Sequence, residues 1–212
     1  MATRITESLP AGAPRLETDR LVLRAWTAED AAALCRILAD WEVVAGFGSG
    51  PLYRLKRGSA TALASISRIE ARRAIARNRR HWAQHGHGLW ALEERESGEL
   101  VGHAGLLFHD DWTAEPTRLE VGWMLRRDDW GRGLATEAGT AALGHAFEAL
   151  EAERVISITG PANVRSQRVM DRLGLSFSGR TRWKRQPVVW YGIDREEWRR
   201  QAAAPEAGHA HA

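Results

Sequence analysis

Apolar and polar positions follow two different periods along this chain, and the switches between them outline a mixed α/β protein. Leu21, Val22 and Leu23 between Arg20 and Arg24 predict a short strand. Thr27, with Asp30 three residues later, predicts the start of a helix running to about Asp40. Residues 41 to 58 hold Gly46, Gly48, Gly50, Pro51 and Gly58, a breaker-rich stretch expected to form an irregular loop of functional rather than connective length.

From Ala60 to about His85 there is no Gly or Pro, and Ala64, Ala71, Ile75 and Trp82 recur at helical spacing. Leu89 to Glu93 and Leu100 to Phe108, with a turn at Ser97-Gly98, predict a hairpin that Arg118 to Leu125 extends into a meander. Leu134 to Leu150 is apolar around much of a helix circumference and is expected to lie on a sheet. Val155 to Thr159 predicts a strand, Asn163 caps a helix that ends at Gly174, and Leu175 to Arg182 with Val188 to Ile193 predict a last hairpin.

Residues 1–14 and 199–212 carry no periodic apolar face, so they are expected to be flexible ends around one domain at 15–198. No repeat of solenoid or propeller length is present.

Composition changes this picture little. The chain has 212 residues, 44% hydrophobic and 27% charged, enough to bury a core. A net charge of +3 is a weak pointer to an anionic partner. The single Cys35 lies among apolar residues and reads as a buried thiol. No apolar run approaches the roughly 20 residues that span a bilayer, and no basic-then-apolar leader opens the chain, so the expected location is the cytoplasm, with no membrane partner. His85, His87, His103 and His109 gather around the predicted hairpin, and His209 and His211 lie in the tail, but neither set has the company of a zinc pattern, and no metal is expected.

Chemistry concentrates after the meander. Gly131 and Gly133 permit a tight turn, and the helix after them opens with unpaired N–H groups and a positive dipole end, a geometry that cradles phosphate oxygens. It is not a dinucleotide fingerprint, which needs Gly-x-Gly-x-x-Gly in a parallel βαβ unit, nor a Walker loop, which needs Gly-Lys-Ser/Thr. Trp82, Trp90 and Trp123 fall on apolar faces and read as core, whereas Trp41 and Trp112 lie near loops and suit an acceptor pocket.

Trp130-Gly131-Arg132-Gly133-Leu134-Ala135 resembles the Gln/Arg-x-x-Gly-x-Gly/Ala turn of the GNAT N-acetyltransferases. Leu16 to Arg24, the Gly-Leu-Trp-Ala and Val-Gly-His-Ala-Gly-Leu strands, Ala135-Thr136-Glu137-Ala138, Asn163-x-x-Ser166 and Leu173-Gly174 extend the likeness from about Leu16 to about Glu197. Within that family the chain is most similar to the branch of ribosomal-protein N-terminal (RimJ/RimL-like) acetyltransferases.

The resemblance implies a GNAT fold: a mixed, mostly antiparallel, twisted sheet of six to seven strands flanked by about four helices, with a splayed strand pair holding acetyl-CoA. It implies that the strand Glu120 to Leu125 bulges and splays from Val155 to Thr159, and that free backbone groups of Met124 and Leu125 pair with the pantetheine arm. The pyrophosphate falls to Trp130 through Thr136, with backbone N–H groups supported by Arg126 or Arg132 because Trp130 replaces the family's Gln or Arg. Asn163 and Ser166 complete the coenzyme site.

The acceptor is then a primary amine, of a protein N-terminus or a small molecule, and it must lose a proton before it attacks. Glu120 is the expected base, directly or through water; its other reading is a solvated strand carboxylate. Met170 stands where many relatives carry a tyrosine acid, leaving Ser166, a water or no dedicated acid for the departing thiolate. Asn163 also reads as a plain helix cap.

Two other function classes remain open on the sequence. Arg68, Arg72, Arg73, Arg77, Arg79 and Arg80 on one helix suggest an RNA- or ribosome-associated module, although Glu70 interrupts them and no RNA-recognition strand motif appears. A catalytically silent coenzyme A sensor would keep the fold and lose the acid. Exposed sheet edges in such a fold can pair into a homodimer.

Overall fold

The computed structural model describes residues 4–5, 13–45 and 60–203. Among them are nine strands: β1 (Arg4–Ile5), β2 (Leu16–Glu17), β3 (Leu21–Arg24), β4 (Leu89–Glu94), β5 (Leu100–Phe108), β6 (Leu119–Leu125), β7 (Arg154–Thr159), β8 (Ser176–Trp183) and β9 (Gln186–Asp194). They form one sheet in the order β1-β2-β3-β4-β5-β6-β7-β9-β8. Every pair is antiparallel except β6 with β7. The excess over six to seven strands is β1 and β2, two residues each and too short to show any alternation.

The helices are α1 (Asp30–Leu38), α2 (Trp41–Ala45), α3 (Ala60–His85), α4 (Leu134–Gly144), α5 (Val164–Arg172) and α6 (Arg195–Ala203). Helix α1 starts two residues later than expected, with Glu29 as its N-cap, and Asp30, its first residue, accepts from the Thr27 backbone N–H at 2.8 Å. The expected loop from 41 begins instead as the short helix α2, because Val43 and Val44 find burial there; residues 46–59 lie outside those described. The expected flexible ends likewise fall largely outside the described residues, while α6 carries the chain past the expected boundary at 198 to Ala203.

Alternation along the strands divides the core in two. Val121 and Leu125 of β6 join Leu21, Leu23, Trp90 and Leu106 beneath Leu134, Ala138, Ala142 and Phe147. Small side chains on α4 let that helix lie close to the sheet, as its all-round apolar sequence predicts. Met124 points the opposite way, toward Trp26, Leu34, Ile37, Ala71 and Ile75 from the α1 and α3 side. Trp82 and Trp90 meet edge-to-face at 4.8 Å, in the core as expected.

Candidate functional site

The parallel pair at the centre of the sheet meets at one point. Among the described residues β6 and β7 pair only at Glu120↔Ile156, and beyond it the two strands run on to Leu125 and Thr159 without pairing. The result is a V that opens toward their C-terminal ends. The expected bulge is absent: the register of β6 with β5 runs unbroken from Phe108↔Leu119 to Gly102↔Leu125.

Unbroken register fixes which backbone groups face the V. The Arg126 N–H bonds the Val101 carbonyl on the β5 side at 2.8 Å, so Met124, two residues earlier, turns its backbone the same way. Trp123 and Leu125 therefore face the V, and Trp123 replaces Met124 as a residue with backbone groups to offer there. The Met124 side chain is buried in the α1-side core. The Leu125 carbonyl already accepts from the Trp130 indole N–H at 3.0 Å, which leaves its N–H as the group it can give.

The V runs out onto the glycine turn. Gly131 and Gly133 both adopt left-handed backbone angles, φ +78° and +81°, and Gly133 is the N-cap of α4 without any side-chain bond to the helix N–H groups. Leu134 is buried beneath the turn, Ala135 and Thr136 are half-buried, and the Thr136 hydroxyl is enclosed with no partner among the described residues. Glu137 locks this start of α4 to the edge of the sheet: it accepts from Thr18 at 2.6 Å, the Arg20 N–H at 2.8 Å and the Arg20 guanidinium. Burial pulls its carboxyl upward, and the bonds from Thr18 and Arg20 outweigh that and hold it below the ordinary range. Arg20 also donates to the Arg132 carbonyl at 2.7 Å, pinning the turn itself.

The two arginines expected to meet phosphate are engaged elsewhere. Arg126 is bonded to Asp129 at 2.7 Å and Glu99 at 2.8 Å, and Arg132 to Asp129 at 2.7 Å and Glu94 at 2.5 Å. Their charges are answered by carboxylates, and they build the scaffold of the turn. The cation that sequence reasoning missed is Arg165, on the first turn of α5, whose guanidinium lies 4.7 Å from the centre of the Trp130 ring. It is exposed and forms no ion pair among the described residues.

On the β7 side of the V, the Asn163 side chain caps α5 by accepting from the Ser166 N–H at 3.2 Å, as the plain cap reading expects. Ser166 is half-buried on that same first turn. Met170 is fully buried in the α4-side core. The Tyr191 hydroxyl reaches Gln167 of α5 at 3.4 Å.

Glu120 occupies the vertex. Its side chain is 11% exposed, which rules out the solvated reading. One carboxylate oxygen accepts from the Ile158 N–H at 3.1 Å, standing in for the strand bond that the splay removes. The other meets Nε2 of His109, at the end of β5. No local signal in the sequence joins these two residues beyond their places at either end of the β5–β6 connection.

Around His109 lies an aromatic wall. Trp183, near the tip of the β8–β9 hairpin, stands edge-on to its ring at 4.7 Å, and Trp112 packs against Trp183 and Trp190 at 5.7 and 5.8 Å. Trp112 is thus buried at 1% exposure, packed under the hairpin rather than presented to an acceptor. The Lys184 ammonium lies 3.9 Å over Trp183 and 3.6 Å from Asp111. His103 stands apart against Trp26, pushed down to about 4 by burial. His81, His85 and His87 group on the α3 side, with no metal-holding set among the described residues. On α3, Glu70 takes up Arg73 at 2.9 Å and Arg77 at 3.7 Å, so part of the basic run is internally compensated.

Comparison with known proteins agrees with this arrangement. The family model for the acetyltransferase (GNAT) domain matches residues 20–176. The uncharacterized protein YkkB of Bacillus subtilis strain 168 is 28% identical over 177 residues, covering 84% of this chain and 94% of its own. An acetyltransferase structure from Agrobacterium tumefaciens strain C58 superposes with a TM-score of 0.69 at 25% identity, over 89% of this chain and 98% of that one. A structure from Vibrio cholerae, described as a candidate ribosomal-protein-serine acetyltransferase, superposes with a TM-score of 0.65 at 21% identity, over 85% and 97%; it bears on the fold alone.

Proposed function

Since the chain belongs to the GNAT acetyltransferase family, acyltransferases that use acetyl-CoA, we propose that it holds acetyl-CoA in the V between β6 and β7 and transfers the acetyl group to a primary amine. The observation that carries this reading is the continuity of one strand with one turn. β6 parts from β7 at Glu120↔Ile156 and leads, through one 3-10 turn at Arg127–Asp129, into the Gly131–Gly133 turn and the uncapped start of α4.

In this reading the pantetheine arm lies along Trp123 and Leu125 as a missing strand would. The pyrophosphate rests on the N–H groups from Gly131 to Thr136, with Arg165 and Trp130 beside it. The Leu125 N–H suits the thioester oxygen, where negative charge grows in the transition state. Ser166 and Asn163 border the thiol end of the arm from α5.

The amine nitrogen attacks the thioester carbon, the C–N bond forms, and the C–S bond breaks to release the coenzyme thiolate. The acid–base centre for this exchange is the buried carboxylate of Glu120 with its partner His109. The Ser166 hydroxyl is the side chain available to protonate the thiolate. A protein N-terminal amine is the first acceptor to test, and a small-molecule amine the second.

The test is thiol release from acetyl-CoA on addition of N-terminal peptides and small amines. Release that depends on the amine, and that falls in Glu120→Gln with acetyl-CoA affinity kept, supports the reading. Tight coenzyme binding with no acceptor-dependent release points instead to a coenzyme sensor on the same fold.

A further inference from the structure

Which atom at the vertex receives the proton is open to a structural answer. We propose that His109 is the group that deprotonates the acceptor ammonium, and that Glu120 is the carboxylate that orients it. This rests on the acetyl-transfer reading and deepens it.

Both oxygens of Glu120 are already engaged, one by the Ile158 N–H and one by Nε2 of His109. A carboxylate held in this way is well placed to fix a partner. The same contact decides the state of His109. A neutral imidazole whose Nε2 faces a carboxylate carries its hydrogen there, so the lone pair sits on Nδ1. Nδ1 has no hydrogen-bond partner among the described residues. A buried carboxylate holding an imidazole whose other nitrogen is available is the orienting logic of an acid–base dyad.

The surroundings suit an arriving ammonium. The Trp183 ring that stands edge-on to His109 already carries one alkylammonium, that of Lys184, on its face at 3.9 Å. The charged and titratable groups around His109 are Glu120 from β6, His81 from α3 and, across Trp183, Lys184 from the β8–β9 hairpin paired with Asp111; Asp110 and Asp111 follow His109 in the chain. His81 is pushed down to about 4 by burial, so it stays neutral through the range where an imidazole acts as base.

Two protons leave the nitrogen overall. The first passes from the ammonium to Nδ1 of His109, giving an imidazolium held against the Glu120 carboxylate, and goes on to solvent when His109 resets. The second leaves the tetrahedral adduct as the C–S bond breaks and ends on the departing thiolate.

The experiment compares wild type, His109→Gln, His109→Ala and Glu120→Gln, using two acceptor amines of different basicity so that a limb set by the acceptor moves and one set by the enzyme does not. The expected result is a fall of about 10²-fold or more in kcat/KM for His109→Gln. Its acetyl-CoA affinity stays within about twofold of wild type, showing an intact fold, and the acidic limb of the pH profile is lost. Glu120→Gln keeps an acidic limb at reduced rate, and added imidazole restores activity to His109→Ala. If His109→Gln keeps the wild-type rate and limb while Glu120→Gln abolishes both, Glu120 is itself the base and this inference alone is overturned. If wild type shows no amine-dependent thiol release at any pH, the acetyl-transfer reading falls and takes this one with it.

Discussion

Arg165 and Trp130, 35 positions apart, meet with the guanidinium 4.7 Å from the indole centre. The contact brings the first turn of α5 to the edge of the glycine turn before α4. It sets a cation beside the position where the family's Gln or Arg is missing, while Arg126 and Arg132 are held by Asp129, Glu99 and Glu94.

Arg165→Ala is therefore expected to weaken acetyl-CoA binding about tenfold, the effect of losing roughly 1.4 kcal/mol. Acetyl-pantetheine, which lacks the pyrophosphate, should bind wild type and variant equally. The deficit should shrink as salt rises. Titration of both ligands at two ionic strengths checks all three expectations, and an equal loss for both ligands would show a packing role instead.

The pair also marks a limit of sequence reading. Alternation and the glycine turn made β5, β6 and the start of α4 legible, because each is decided by neighbours in the chain. Arg165 over Trp130 and His109 against Glu120 are decided by which strands lie side by side. A bulge in β6 would turn Met124 to the V, and the unbroken β5–β6 register turns its backbone away. Trp112 lies in a loop, as its sequence neighbours predict, but the β8–β9 hairpin covers it. The helix α6 gave no signal because none of its residues is buried, so it has no apolar stripe to read.

Asp30 ties β3 to α1 through two bonds to Arg24, at 2.8 and 2.9 Å, with both side chains largely buried. Burial pulls its carboxyl upward, and the bonds from Arg24 and Thr27 more than offset that, leaving it below its ordinary value. A depressed carboxyl contributes stability that is present above the unfolded value near 3.8 and is lost as pH falls through the folded one. Asp30→Asn should cost about 2 kcal/mol or more at pH 7. The gap to wild type should narrow in acid, which thermal melts from pH 7 to pH 3 will show.

His103 is shifted in the same direction, but by burial alone. Burial pushes it from 6.5 to about 4, and its Nδ1 is enclosed with no partner among the described residues. Between those two values the unfolded chain binds the proton and the folded chain does not, so stability drains as pH falls from 6.5 toward 4. His103→Leu removes that drain. The variant should gain on the order of 1–2 kcal/mol relative to wild type at pH 5 compared with pH 7.5. Parallel melts at the two pH values measure it, and an unchanged difference would contradict a neutral buried imidazole.

Calorimetric titration of acetyl-CoA into wild type and Gly133→Asp asks whether the turn at Gly131 and Gly133, with the start of α4, receives the coenzyme phosphates. Asp at this N-cap places a negative charge where the phosphates would sit, and it tolerates the left-handed angle better than most residues. Wild type is expected to bind one-to-one on the order of micromolar and the variant at least tenfold more weakly, with its thermal stability changed by about 1–2 kcal/mol at most. Absence of binding by wild type, or equal affinity in the two proteins, would contradict phosphate binding at this turn.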